Sequence, residues 1–401
     1  HLQPLAGRSF WIAGIGGAGM SGYAVLAKAW GAEVSGWDRF ETPYLEHVRK
    51  AGIAVTVDPD PPVPPEGAEP VVSTAFAGRI PGKSRAELLA ELVSLQDAIV
   101  IAGAHGKTTT AAMIAFALDR LGHDPSFLLG GEVAQLGGNA RAGSGWLVVE
   151  GDESDRTIAA LPAKIAVVTN VDLDHHSTFS SAAEVEELLE GWLERQSIPV
   201  VIRGRELGPA DVELGLPGEH NRRNAACALA ALEAAGVARP DAVAALAEFR
   251  GVRRRFELRG ERGGVRVFDD YAHHPNEVAA TLAAARELAG EGRALVLFQP
   301  HLYSRTLHLA HELAASLTLA DLASITDVYP AREEPLEGVS GKLVVDRLCE
   351  LRPGMPVGWT PQVEDGARLV AARARAGDIL LTVGAGDVDS AIPSILERLP
   401  V

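Results

Sequence analysis

Cysteine is nearly absent. The chain has only Cys227 and Cys349 in 401 residues, too few for a disulfide framework and without the spacing of a metal-binding cluster. A reducing, cytoplasmic setting is the expectation. Aromatic residues reach only 5%, and 37 basic residues face 53 acidic ones, leaving a formal charge of −16. Such a surplus repels nucleic acid and anionic membrane, so neither is expected as a partner, and an anion can be held only at a local site. Long uninterrupted hydrophobic runs are also missing. The stretch 9–27 carries no charge and is long enough for a span or leader, but glycines at 14, 16, 17, 19 and 22 break it, and neither insertion nor export is expected.

What the chain does have is 47% apolar and 22% charged residues with 42 glycines and 24 prolines, the composition of a folded protein with many turns. Its length corresponds to two or three domains. Short apolar runs alternate with Ala/Leu-rich helical patterns, the rhythm of parallel α/β units. Strands are expected at 10–13, 33–36, 98–102, 145–149, 165–170, 199–203, 265–268, 294–298, 322–326 and 378–383. Helices are expected at 21–29, 86–93, 111–121, 224–235 and 241–249. A proline-rich loop at 58–65 and a basic stretch at 251–256 punctuate the pattern. The boundaries fall at 97 and 251, giving lobes 1–97, 98–251 and 252–401.

The strongest motif is Gly103-Ala104-His105-Gly106-Lys107-Thr108-Thr109-Thr110, placed between an expected strand and helix. Glycines let backbone N–H groups converge on phosphate oxygens, Lys107 reaches the terminal phosphates and the Thr108 hydroxyl can hold magnesium. Glycine is missing at position 101, so the loop is a shortened form. A second turn, Gly14-Ile15-Gly16-Gly17-Ala18-Gly19, follows the first strand, with Asp38 closing the next. A redox dinucleotide, another diphosphate or a purely structural turn each fit it.

Two acidic clusters leave strand ends: Glu150-Gly151-Asp152-Glu153-Ser154-Asp155, and Asp172, Asp174, His175 and His176. Hard oxygens there can hold Mg2+ beside ATP, with Glu153 and His175 as the expected metal-side residues. Further on, Asp270, Tyr271 and His273 end one strand and His301 and Arg305 follow another, the makings of a substrate site. The HxxE spacing from His274 to Glu277 lacks a second spaced histidine and does not read as zinc. Arg253-Arg254-Arg255 is either a solvated cluster or a phosphate contact.

Taken together, GIGGAGMSG, AHGKTTT, EGDESD, NVDLDHH, PGEHNRRNA, RRRFE, DDYAHHPNE and FQPHLYSRT resemble the Mur ligases of peptidoglycan synthesis, in family order from residue 14 to 305. The resemblance implies an α/β fold of three lobes: a Rossmann-like UDP-binding domain, a central P-loop ATPase domain with a mostly parallel sheet, and a Rossmann-like C-terminal domain for the amino acid. It replaces the redox reading of the first turn with a UDP-sugar diphosphate. Gly14, Gly16, Gly17, Ala18, Gly19, Met20, Ser73 and Asn139 match sugar-nucleotide positions, and Asp38 a uridine-side contact. Gly103, Ala104, His105, Gly106, Lys107, Thr108 and Thr109 match the phosphate loop. His220, Asn221 and Asn224 lie around adenine, and Arg254 and Asp270 also belong to the ATP set. Tyr271, His273, His301 and Arg305 match the amino-acid side.

The implied catalytic set is Lys107, Glu153, His175, His273, His301 and Arg305; the implied metal set is Thr108, Glu153 and His175, for two Mg2+ ions with ATP as co-substrate. The activity implied is coupling of L-alanine to the lactyl carboxylate of UDP-N-acetylmuramate through an acyl phosphate, in precursor synthesis for the cell wall and hence for cell shape and division. A monomer or homodimer is expected, with lobe closure over the substrates. Alternatives are a murein tripeptide recycling ligase of the same family, a noncatalytic UDP-sugar-binding protein and a nicotinamide oxidoreductase. Three departures stand out: Ala104 where the family has Thr, and short intervals at 74–84 and 178–215.

Overall fold

The computed structural model describes residues 3–173, 178–331 and 333–400. The chain divides into two compact units, residues 1–213 with 223–250, and residues 214–222 with 251–401.

The first unit opens with β1 (Ser9–Ala13), α1 (Ala18–Ala29), β2 (Glu33–Asp38), α2 (Leu45–Lys50), β3 (Ala54–Val57), β4 (Glu69–Val72), β5 (Lys83–Ser84) and α3 (Arg85–Ser94). The strands form a parallel sheet in the order β3-β2-β1-β4-β5. Phe10 to Ala13 are all buried, as a central parallel strand covered on both faces requires. The strand order reverses between β1 and β4, where open α/β sheets bind ligands. β4 passes to β5 through only one turn of 3-10 helix, Thr74–Phe76, so this crossover carries no α-helix.

A second sheet follows in the same unit: β6 (Ala98–Ala102), α4 (Lys107–Arg120), β7 (Ser126–Val133), β8 (Gly138–Arg141), β9 (Leu147–Glu150), β10 (Ile165–Val168), α5 (Ala182–Arg195), β11 (Val200–Arg203), α6 (Glu219–Ala234) and α7 (Arg239–Ala247). Its order is β11-β10-β6-β9-β7-β8, parallel except for the β7–β8 hairpin. The first four residues of α6 belong to the second unit. One apolar cluster joins the two sheets, running from Phe10 and Leu26 through Val100 and Leu128 to Trp192. Against it α1 packs on the hairpin, with Gly22 facing Leu128 and Ala140.

The second unit contains β12 (Glu257–Arg262), β13 (Val265–Asp270), α8 (Pro275–Ala289), β14 (Ala294–Phe298), α9 (Tyr303–Leu317), β15 (Leu322–Ile325), α10 (Lys342–Leu351), β16 (Val357–Trp359), α11 (Val363–Arg373), β17 (Ile379–Val383) and α12 (Ile392–Arg398). Its sheet runs β12-β13-β17-β14-β15-β16, with only β12 antiparallel. One cluster beneath α8, α9 and α10 and another beneath α11 and α12 cover its two faces.

The α/β expectation holds, with differences at element ends. α4 begins at Lys107 rather than 111, because the phosphate-loop threonines form its first turn. β2 runs on to Asp38. The β7–β8 hairpin was not expected, since its strands are rich in glycine and polar residues. Among the described residues no helix is long and apolar enough to cross a membrane.

Candidate active site

Strand β6 is completely buried and delivers the chain into the 103–106 loop. Gly103 and Gly106 have φ of 120° and 79°, and Cβ atoms there would lie 2.3 Å from Thr169 Oγ1 and 2.3 Å from Asn224 Oδ1. Side chains after β10 tie the loop down. The His105 N–H donates to Asn170 Oδ1 at 2.9 Å, while Asn170 Nδ2 and Thr169 Oγ1 donate to the His105 carbonyl at 2.9 and 2.7 Å. His105 Nε2 lies 3.3 Å from Asp172 Oδ2. Ala104 is buried, and its missing hydroxyl leaves these backbone contacts in place.

Lys107 Nζ donates to the Gly103 carbonyl at 2.6 Å and to both oxygens of Glu153 at 3.0 Å. Burial alone would lower the ammonium pKa, but Glu153, Asp152 and Glu150 outweigh it and hold it above the ordinary lysine value. Thr108 Oγ1 donates to Glu150 Oε2 at 2.9 Å, and Glu150 also accepts from the Gly130 N–H. Burial opposes ionisation of Asp152 too, yet Ser154 and Lys107 keep its carboxyl below the usual range. The donor set of Thr108, Glu150 and Glu153 is all hard oxygen and suits magnesium. His175 lies outside the described residues. Glu150 was visible in sequence only as one of a cluster; the β6–β9 pairing is what sets it opposite Thr108.

In the first sheet, the 14–17 turn joins β1 to α1, with Gly17 and Ala18 exposed and the Met20 side chain buried in the core. Asp38 accepts from the Gly16 N–H at 2.8 Å and the Arg39 N–H at 2.8 Å, so it braces the turn from the end of β2. Ser73, after β4, packs against Gly14. Asn139 lies on β8, where its amide donates to the Leu129 carbonyl at 3.5 Å, and this hairpin packs on α1.

The remaining candidates belong to the second unit, apart from Asn224, which packs on Gly106 in the first. The Asn221 amide donates to the Pro217 carbonyl at 2.7 Å. Burial pushes His220 down to about 4, so its imidazole is neutral at pH 7. Arg254 and Phe256 adopt left-handed φ of 58° and 51°, an unusual turn for side-chain-bearing residues. Arg254 is spent on holding that turn: Nε donates to Asp269 at 2.8 Å, and its other nitrogens donate to the Gly384 and Gly386 carbonyls at 2.9 Å. Arg254 and Arg255 both stack on Tyr271, at 5.3 and 5.2 Å from the ring centre, while Arg253 is exposed, so two of the three arginines pack against the protein.

Asp270 ends β13 and accepts from the Phe256 and Ala272 N–H groups at 2.8 and 2.7 Å. Burial raises its carboxyl to about 6, with Arg255 and these N–H bonds opposing. Because the folded value lies above the ordinary 3.8, stability falls as pH rises between about 4 and 6, by about 3 kcal/mol. The advantage of the wild type over Asp270→Asn should therefore be largest below pH 4, shrink between pH 4 and 6 and level off above, as measured by denaturant unfolding across that range.

Tyr271, His273, His301 and Arg305 come together at the carboxyl ends of β13 and β14. His273 lies 5.6 Å from Tyr271 and 5.8 Å from His301 between ring centres, and Arg305 Nη1 is 3.3 Å from His301 Nδ1. Tyr329 stacks on His301 at 5.7 Å and was not singled out in sequence. Tyr329 also lines a cavity of about 460 Å3, together with Gln299, Asp327, Gln362, Glu364 and Asp387 among others. The HxxE spacing is a helix cap: Glu277 accepts from the His273 and His274 N–H groups at the start of α8.

A switch-point turn and a phosphate loop on parallel sheets define a nucleotide-binding α/β protein. The family description "Mur ligase family, catalytic domain" matches residues 11–96, and "Mur ligase, glutamate ligase domain" matches residues 254–386. UDP-N-acetylmuramate–L-alanine ligase of Mycobacterium sp. (strain JLS) is 39% identical over an alignment 466 positions long, gaps included, covering 98% of this chain and 95% of that one. The enzyme of that name from Kineococcus radiotolerans is 40% identical over 451, covering 97% and 95%. The chain belongs to the Mur ligase family. Among solved structures, the UDP-N-acetylmuramate–alanine ligase of Thermotoga maritima superposes with a TM-score of 0.79 at 25% identity, covering 97% of this chain and 98% of that one.

Proposed function

We propose that this protein is the ATP-dependent ligase that joins L-alanine to UDP-N-acetylmuramate in peptidoglycan precursor synthesis, a reaction of the cytoplasm. The observation that carries the reading is Lys107, clamped between the Gly103 carbonyl and Glu153 beside the Thr108–Glu150 pair. That arrangement suits a triphosphate end, and near-full-length relatives named for this reaction supply the substrates. Residues 1–97 hold the UDP-sugar, 98–251 the ATP and 252–401 the amino acid.

The lactyl carboxylate attacks the ATP γ-phosphorus, giving an acyl phosphate and ADP; the alanine amine then displaces phosphate as the amide forms. A carboxylate is a poor electrophile, and phosphorylation gives it a leaving group. The exposed 17–18 end of the turn opens α1, whose first N–H groups, from Ala18 on, face the sugar-nucleotide diphosphate, while the Gly17 N–H stays on the Gly14 carbonyl and Asp38 fixes the shape of the turn. Lys107, turned from Glu153 to phosphate, offsets repulsion between triphosphate and carboxylate. Thr108, Glu150 and Glu153 would hold magnesium, which when bound supplies charge neutralisation on the phosphate oxygens. His273 or His301 takes the proton released by the alanine ammonium, and the acid-lined cavity beside Tyr329 suits a cationic amine.

Purified protein should release phosphate only when ATP, Mg2+, UDP-N-acetylmuramate and an amino acid are all present, with mass spectrometry of a mixed amine panel showing the alanyl product. Equal ATP turnover without the sugar nucleotide would sink the assignment.

A further inference from the structure

Arg85 is the first residue of α3, and its backbone is fixed by a capping box in which Ser84 and Glu87 exchange hydrogen bonds. From there its side chain reaches back to the glycine-rich turn. A Cβ on Gly19 would lie 3.4 Å from Arg85 Nε and 3.5 Å from Nη2, which puts the guanidinium at the first turn of α1. Arg85 Nε donates to the Tyr23 hydroxyl at 3.3 Å, one turn further along that helix. Its third nitrogen points the other way: Nη1 donates to Asp155 Oδ2 at 3.2 Å, across to the carboxylate segment of the second sheet.

Asp155 is the last acid of the 150–155 segment. Glu150 at its start takes the Thr108 hydroxyl, and Glu153 takes Lys107. One guanidinium therefore touches both the helix end offered to the sugar nucleotide and the acidic segment offered to the nucleotide phosphates. Phosphate oxygens arriving at the α1 N-terminus compete with Asp155 for Arg85, since a guanidinium binds phosphate at least as well as carboxylate. Once Arg85 turns to phosphate, Asp155 loses its counter-charge, and the segment that holds Glu150 and Glu153 gains one uncompensated carboxylate.

We propose that Arg85 is a positioning residue that exchanges Asp155 for the sugar-nucleotide diphosphate, so that filling the glycine-rich turn tightens metal–nucleotide binding at the phosphate loop. The proposal rests on the sugar-nucleotide reading above. Reciprocity requires that the metal–nucleotide tighten the sugar nucleotide by the same factor.

The test is calorimetric titration of magnesium with a nonhydrolysable ATP analogue, with and without saturating UDP-N-acetylmuramate. In the wild type the sugar nucleotide should raise the analogue's affinity by roughly fivefold or more. Arg85→Gln and Asp155→Asn should each bring that ratio close to one while the analogue still binds. Asn at 155 can keep the Oδ1 bond that Asp155 accepts from the Thr157 N–H, and the Asp155 side chain is 29% exposed, so that variant should fold even if Arg85→Gln does not. Tyr23→Phe, which removes only the hydroxyl, should leave most of the coupling. Either variant coupling as strongly as the wild type overturns the proposal, as does a wild type that binds the sugar nucleotide without coupling. A wild type that does not bind the sugar nucleotide at all overturns the functional reading and this proposal with it.

Discussion

Lys107→Ala is expected to cut ligase turnover by roughly 10²- to 10³-fold or more, the loss typical when a preorganised charge-stabilising donor is removed. Two effects of this variant must be separated. Lys107 is a partner of Glu153, which is 2% exposed, and deleting the ammonium breaks that buried ion pair. Breaking a buried pair in this way costs about 3–5 kcal/mol of stability. A double variant, Lys107→Ala with Glu153→Gln, removes both charges and should recover much of that stability while turnover stays low. UDP-sugar binding should persist in both variants, because the glycine-rich turn is braced by Asp38 and Ser73 rather than by Lys107. Steady-state kinetics, thermal melts and sugar-nucleotide titration check the three parts. A double variant with wild-type turnover would remove Lys107 from the chemistry.

The phosphate loop was legible in sequence because its residues are consecutive: strand, glycines, lysine and threonine follow one another, and folding only has to bend them. The strands 98–102 and 294–298 were legible to the residue because both faces are covered and the run is continuously apolar. Features built from residues distant in sequence were not. Arg85 and Tyr23 are 62 positions apart, and nothing in either neighbourhood marks the contact. Arg254 entered the ATP set through the family resemblance; the register between β12, β13 and β17 that puts Asp269 and two glycine carbonyls around it is not readable from its neighbours in sequence. The β7–β8 hairpin was hidden by its composition, since Gly130, Gly131 and Gly138 interrupt any strand pattern and only pairing with β9 and packing on α1 make it a strand pair.

The dependence of the loop on glycine gives the second large expectation. Gly103→Ala should abolish ATP binding in the working range and destabilise the first unit by about 3 kcal/mol or more. Its φ of 120° is outside the territory of side-chain-bearing residues, and strain of that kind costs about 1–3 kcal/mol alone. The added methyl meets more than a movable side chain: besides Thr169 Oγ1 at 2.3 Å, it would lie 2.7 Å from the Asn170 carbonyl oxygen and 2.9 Å from its nitrogen. That backbone leaves β10, which is paired on both sides by β6 and β11, so it cannot retreat without disturbing the sheet. The loop must shift instead, and the His105 N–H and carbonyl lose their bonds to Asn170 and Thr169. Gly122→Ala is the matched control: its φ is also positive, at 81°, but open space surrounds it, so a loss of about 1 kcal/mol with nucleotide binding intact is expected. Parallel melts and ATP-analogue titrations of the two variants separate backbone strain from collision. Equal, mild effects at both positions would mean that the loop tolerates a side chain at 103 and that its grip on phosphate does not depend on the close approach to β10.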